Sequence, residues 1–222
     1  MNATNAPETA VLVFAGRPVP RPLRGLAALP IDDKAVDATV DAAIERYRRL
    51  VVVGGDADLA RVLTRLLRAD RLDVEIGYAP PRRTPATRAY RLPGGWRAAR
   101  RARRGTAHLR PLIRDDAGTA LVGVGRWLPV DGTAMLRGEG IVDDAALFDG
   151  SVAEVRIEPI PTAPGLRAGI PTRRGRVRRW VPGRAAQLGT TGALVVRDEV
   201  FGTRTVKRST FYRHIEDWLL VG

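Results

Sequence analysis

Gly54, Gly55 and Asp56 stand between the apolar run of residues 50–53 and a segment where Leu59, Val62, Leu63 and Leu66 recur at helical spacing. The pattern predicts strand, tight turn, helix. Two glycines permit a sharp bend and a close approach to the main chain. A helix start offers unpaired N–H groups and a positive dipole end, which suit a phosphate. The plainer alternative is a structural turn in which Asp56 and Asp58 only cap the helix. Arg82, Arg83 and Arg88, in the proline-bearing segment 79–88, add planar guanidinium donors able to bind phosphate.

Other chemistries find less support. The chain has no cysteine, which excludes disulfides, thiolate zinc sites and thiol nucleophiles. His108 and His214 lack metal-ligand spacing. Ser151 and Ser209 are the only serines, and neither lies in a nucleophile elbow. Net charge is +13, and Lys34 and Lys207 are the only lysines, so arginine carries nearly all the positive charge. Such a balance favours anionic partners: nucleic acid, acidic lipid headgroups or phosphate-bearing ligands. Arginines spread along a chain also serve as ordinary surface cations. The densest basic run with an aromatic is Arg173-Arg174-Gly175-Arg176-Val177-Arg178-Arg179-Trp180, without a recognised nucleic-acid-reading motif.

The elements that position these residues follow from periodicity. Residues 1–9 read as unstructured and 10–14 as a strand, before a proline-dense loop over 16–22. Residues 32–49 read as a helix with Asp32 or Asp33 as cap and Val36, Val40, Ile44 and Tyr47 as its apolar stripe. The Gly-Gly-Asp strand and helix come next, then a strand over 73–78. Strand and helix alternate, which predicts a small parallel sheet with ligands beyond the strands' carboxyl ends. Residues 97–104 read as a solvated surface turn; if helical, Arg97, Arg100, Arg101 and Arg104 make one basic stripe. After about residue 107 short strands dominate: 108–114, 119–127, 152–158, 177–181, 185–188, 194–197, 205–212 and 217–221, with turns at 115–118 and 131–132. The fold expected is an α/β lobe over 1–100 and an all-β, sandwich-like lobe over 101–222. The polar N-terminus and the lack of a bilayer-length apolar run suggest a soluble cytoplasmic protein.

This order, with Gly-Gly-Asp at a strand end, resembles the diacylglycerol kinase catalytic-domain family. The family's Gly-Gly-Asp-Gly-Thr, which contacts nucleotide phosphates, is matched by Gly54, Gly55 and Asp56, with Ala57 and Asp58 in the last two places. Its Gly-Thr-x-Asn is matched only by Thr84, beside Arg83, and its Asn-Pro-x-Ser-Gly is replaced by Ala15-Gly16-Arg17-Pro18. The segment from Asp143 to Val152 looks like the family's structural-magnesium stretch, with Asp144 and Asp149 as candidate ligands. Asp198-Glu199 is similar to the segment that carries the general base, which would be Glu199.

The resemblance implies ATP and magnesium as cofactors, a lipid hydroxyl as acceptor, Asp56 and Glu199 as catalytic residues, and nucleotide contacts from Gly54, Gly55, Asp56, Ala57, Arg83 and Thr84. Asp58 sets a carboxylate where a phosphate would come, and like charges there repel. The alternative is a non-catalytic relative that binds acidic lipid, a phosphate ligand or nucleic acid through arginine patches. Bland roles also stand open: Asp143-Asp144 as a turn, and Asp198-Glu199 as a hairpin tip.

Overall fold

The computed structural model describes residues 9–32, 34–130 and 132–222. The expected unstructured segment before Thr9, the Asp33 cap and Asp131 of the 131–132 turn lie outside the described residues. The chain is a mixed, sheet-rich α/β protein in two compact units. One runs through Arg110 and takes in Glu216–Gly222; the other is Pro111–Ile215. The first unit thus extends ten residues past residue 100, and the chain's last residues return to it.

The first unit contains β1 (Thr9–Phe14), β2 (Ala27–Ile31), α1 (Val36–Arg46), β3 (Arg49–Val53), α2 (Asp56–Arg68), β4 (Glu75–Tyr78), α3 (Pro85–Ala89) and α4 (Gly95–Arg104). Its strands pair in parallel in the order β2, β1, β3, β4, and Leu220 adds a parallel partner for Ile76. Val11, Leu12, Val51 and Val52 are fully buried, as expected of parallel strands covered on both faces. The sequence pattern misses β2, Ala-Ala-Leu-Pro-Ile, which is largely exposed. As an edge strand it tolerates Pro30, which breaks the sequence signal. The stripe Val36, Val40, Ile44 and Tyr47 is buried as its spacing predicts. Asp32 does not cap α1. Its Oδ1 accepts from the Lys34 N–H at 3.0 Å, and Ala35 is the N-cap.

Residues 95–104 correct the surface-turn expectation: they form the helix α4. Ala98, Ala99 and Ala102 are buried, and Ala99 and Ala102 join Val11, Val13, Val51, Val53 and Ala79 in one apolar cluster. A Cβ on Gly77 would stand 2.8 Å from Ala102 Cβ, so β4 and α4 approach too closely for any larger pair. The alanine face therefore fixes the rotation of α4 and leaves its arginines outside.

The second unit is built of antiparallel strands: β5 (Ala107–Asp115), β6 (Ala120–Leu121), β7 (Gly125–Pro129), β8 (Leu136–Val142), β9 (Ala145–Val152), β10 (Val155–Pro159), β11 (Leu166–Gly169), β12 (Val181–Gly183), β13 (Ala185–Arg197), β14 (Val200–Phe201) and β15 (Val206–Val221). β13 pairs with β7, β8, β14 and β15, and its register with β15 shifts between Gly189 and Ala193. That irregularity explains why the sequence reads as two strands where one runs through. Residues 205–212 and 217–221 likewise belong to the single β15. Trp127 and Phe211 lie in the core with ring centroids 6.0 Å apart, and Trp127 Nε1 donates to buried Ser209 Oγ at 3.0 Å. Burying side chains of this size stabilises by roughly 1.5–3 kcal/mol each. Among the described residues no helix is long and apolar enough to cross a membrane.

Candidate functional site

The Gly-Gly-Asp turn lies between β3 and α2, as its sequence predicts. Gly55 is the N-cap of α2, Asp56 its first residue, and Ala57 the second. Ala57 is thus helical, and alanine there costs no backbone strain. Asp58 folds back over the turn: its Oδ2 accepts from the Gly55 N–H at 2.7 Å. A Cβ on Gly54 would stand 2.5 Å from that oxygen, so Gly54 is glycine to admit the chain's own carboxylate. One backbone donor of the turn, the Gly55 N–H, is thereby taken by the chain's own carboxylate.

Asp56 points elsewhere. Tyr78 Oη donates to its Oδ1 at 2.7 Å, and the Ala86 N–H donates to its Oδ2 at 3.0 Å. One carboxylate thereby ties the start of α2 to the end of β4 and to α3. Thr84 is the N-cap of α3: its Oγ1 accepts from the Thr87 N–H at 3.2 Å, while its own N–H donates to Thr87 Oγ1 at 2.8 Å. The structure therefore brings the 54–58 and 84–86 segments together, as the sequence-based site requires. Arg83, beside them, is exposed.

Beyond the carboxyl ends of β3 and β4 lies a crevice of about 320 Å³, with Val53, Ala79 and Pro80 against Arg17, Arg21 and Trp96. Two further hollows meet it at Trp96. One, of about 730 Å³, is walled by Arg83, Arg97 and Arg101; the other, of about 480 Å³, by Arg21 and Arg103; Arg100 and Arg104 line both. Arg103 Nη1 donates to the Pro22 carbonyl at 2.7 Å and fastens α4 to the turn at Arg21–Leu23. Among the described residues none of Arg83, Arg97, Arg100, Arg101 and Arg104 has a carboxylate partner.

The remaining candidates belong to the second unit. Asp144 is exposed in the turn between β8 and β9; Asp149 lies within β9, opposite Glu139. Neighbouring Asp143 braces that turn, accepting from the Arg184 and Ala185 N–H groups at 2.9 Å each. Asp198 and Glu199 form the tip between β13 and β14, both at positive φ, 48° and 70°. Buried Asp198 offsets the strain of that tip by accepting from the backbone N–H groups of Val122, Gly123 and Val124 at 3.0, 2.7 and 3.0 Å. Glu199 is exposed and accepts from Arg126 Nη2 at 3.3 Å.

No family model and no curated protein sequence matches the chain. Solved structures do. A diacylglycerol kinase from Bacillus anthracis str. Sterne aligns at TM-score 0.72 over 98% of this chain and 97% of that one, with 12% identity. The chain has the diacylglycerol kinase fold. An NAD kinase from Archaeoglobus fulgidus in complex with ATP aligns at TM-score 0.63 and 12% identity, over 96% of this chain and 93% of that one. Yeast NADH kinase complexed with NADH aligns at TM-score 0.59 and 9% identity, over 99% and 84%. At such identities the likeness shows the fold alone.

Within this kinase-like fold the implied cofactors meet a poor fit. A nucleotide phosphate at the Gly54–Gly55 turn would face the Asp58 carboxylate, already bonded to Gly55. For magnesium, Asp144 and Asp149 gain no third ligand: among the described residues no group of three His, Cys, Asp or Glu side chains could hold a metal. Trp96 and Arg21 are the site residues that sequence reasoning missed. A signal existed: residues 76–114 contain eleven arginines and not one Asp or Glu.

Proposed function

We propose that this chain is a non-catalytic relative of the kinases whose fold it shares, and that it binds an anionic partner through the arginines of its first unit. One observation carries the reading: the Asp58 carboxylate, 2.7 Å from the Gly55 nitrogen, fills the anion position of the phosphate turn. An exposed arginine row without carboxylate partners supplies positive charge a short way along the chain. Guanidinium groups donate in pairs to phosphate or carboxylate oxygens and stay charged at every physiological pH.

A second reading, ATP-dependent phosphoryl transfer to a lipid hydroxyl with magnesium, is favoured by the crevice beside β3 and β4, where ligands of open α/β sheets bind. It assigns catalysis to Asp56 and Glu199, nucleotide contacts to Gly54, Gly55, Ala57, Arg83 and Thr84, and metal binding to Asp144 and Asp149.

Thermal unfolding separates the two. The first reading predicts no Asp56-dependent shift with millimolar Mg-ATP and a salt-sensitive rise with a polyanion. The second predicts a nucleotide-dependent rise, about 2.7 kcal/mol at a hundredfold excess over Kd, lost in Asp56→Ala. Asp58→Ala sharpens the choice: it removes a capping carboxylate worth about 1 kcal/mol and, on the first reading, opens the turn to phosphate. A wild-type Mg-ATP shift that is lost in Asp56→Ala and kept in Arg100→Ala with Arg104→Ala would overturn the first reading.

A further inference from the structure

The partner's chemistry can be narrowed, resting on the anion-binding reading above. We propose that the grooves along α4 bind single-stranded nucleic acid, with a base stacked on Trp96 and phosphates held by the arginines on either side.

Trp96 is 57% exposed, whereas Trp127 and Trp218 are buried. An indole left in water is unexplained by packing. The Arg100 guanidinium lies 5.6 Å from its ring centroid and orients it. The ring lines three open hollows at once, two of them lined mainly by arginine. Arg97, Arg100, Arg101 and Arg104 recur at helical spacing on α4, a row about 10 Å long along the helix axis. The acid-free stretch 76–114 places no carboxylate of its own to repel a polyanion.

These features sort the anionic polymers. A bilayer is flat, whereas these arginines line hollows on either side of the ring. A duplex offers phosphates but keeps its base faces stacked. Inorganic polyphosphate offers charge alone. A single strand offers a phosphate and an unstacked base face at every nucleotide, which an arginine groove with an aromatic platform takes up without reading sequence. The basic run ending at Trp180 is a weaker candidate. Its half-buried indole is covered by Arg167, 4.3 Å from the centroid and itself bonded to Glu158 at 2.6 Å.

The test is fluorescence anisotropy with a labelled twelve-nucleotide oligothymidylate, against the same-length duplex, polyphosphate and acidic vesicles of phosphatidylglycerol. Trp96→Ala should weaken oligothymidylate binding about tenfold and leave polyphosphate within about twofold. Trp96→Tyr, which keeps a stacking ring, should recover most of the loss. Arg100→Ala with Arg104→Ala should weaken both ligands. With about four phosphates contacted, log Kobs should fall with log salt at a slope of roughly −2.8. Bound oligonucleotide should also quench Trp96 in the wild type, a readout that needs no variant to fold. Equal binding of polyphosphate and oligonucleotide, with Trp96→Ala neutral, overturns this proposal and leaves the anion-binding reading standing. Duplex preferred over single strand, or vesicles bound and oligonucleotide not, also overturns it. No binding of any polyanion at low salt removes both.

Discussion

Two faces of the first unit bear the same residue type in opposite surroundings. On the α1–α2 side each of these arginines meets a carboxylate: Arg61 with Asp37 at 3.1 Å, Arg65 with Asp41 at 2.8 Å and Arg71 with Asp73 at 2.9 Å; within the sheet Arg49 of β3 pairs with Glu75 of β4 at 2.6 Å. Hydrogen bonding to Asp41 raises the Arg65 pKa above its usual value, and bonding to Asp73 does the same for Arg71. On α4, Arg97, Arg100, Arg101 and Arg104 are exposed, and Arg100 lies against Trp96. Arg97 with Arg101 and Arg100 with Arg104 stand four residues apart on one helix, which destabilises by roughly 0.2–0.5 kcal/mol per like-charged pair. The net charge of +13 is thus unevenly placed. Paired arginines hold α1, α2 and the sheet together; the α4 row repels itself, a repulsion that the proposed anionic partner would relieve.

Stability measurements can break this contrast. Arg49 should matter most: it is bonded to Glu75 and, at 3.1 Å, to the Arg103 carbonyl, with its side chain only 17% exposed. Arg49→Ala should cost about 2 kcal/mol in denaturant unfolding, as for a charged hydrogen bond with little solvent. Arg65→Ala, which loses partners on α1, should cost about 0.5–1 kcal/mol. Arg104→Ala should cost nothing beyond about 0.5 kcal/mol and relieve repulsion. An α4 variant as damaging as Arg49→Ala would show that the row is structural.

The smallest effect lies in pH. Hydrogen bonding to Arg71 lowers the Asp73 pKa below its usual value. Its contribution is therefore present above the unfolded value, about 3.9, and is lost as pH falls through the folded one. The Asp73 side chain is 66% exposed, so solvent screening keeps that contribution small. Asp73→Asn should flatten the acid limb slightly in an unfolding series from pH 5 downward. Polyanion affinity through α4, which rests on arginine alone, should stay flat from pH 5 to 9.

Much of this was readable in the chain. The parallel strands around Val51 and Val52, the Gly-Gly-Asp turn and the apolar stripe of α1 are strong local patterns, and packing agreed with them. Edge strand β2 was hidden because Pro30 and exposed alanines mimic a loop. α4 was read as a turn because its apolar face is only alanine, whose small side chains signal burial weakly, yet that is the size that the close approach to Gly77 demands. Asp58 was legible as a carboxylate near the phosphate position; its bond to Gly55 was not, since spacing alone does not fix a rotamer. Trp96 escaped notice because its partners, Arg21 and Arg83, come from distant stretches of sequence.

The central claim is that place, not total charge, governs the proposed anion binding. Two double reversals test it with the same change of net charge: Arg100→Glu with Arg104→Glu on α4, and Arg61→Glu with Arg68→Glu on α2. Affinity for a polyanion is measured for both at fixed low salt. The account predicts a loss of about a hundredfold or more for the α4 pair and a change within about threefold for the α2 pair. Equal losses would make the binding a property of bulk charge and contradict the account.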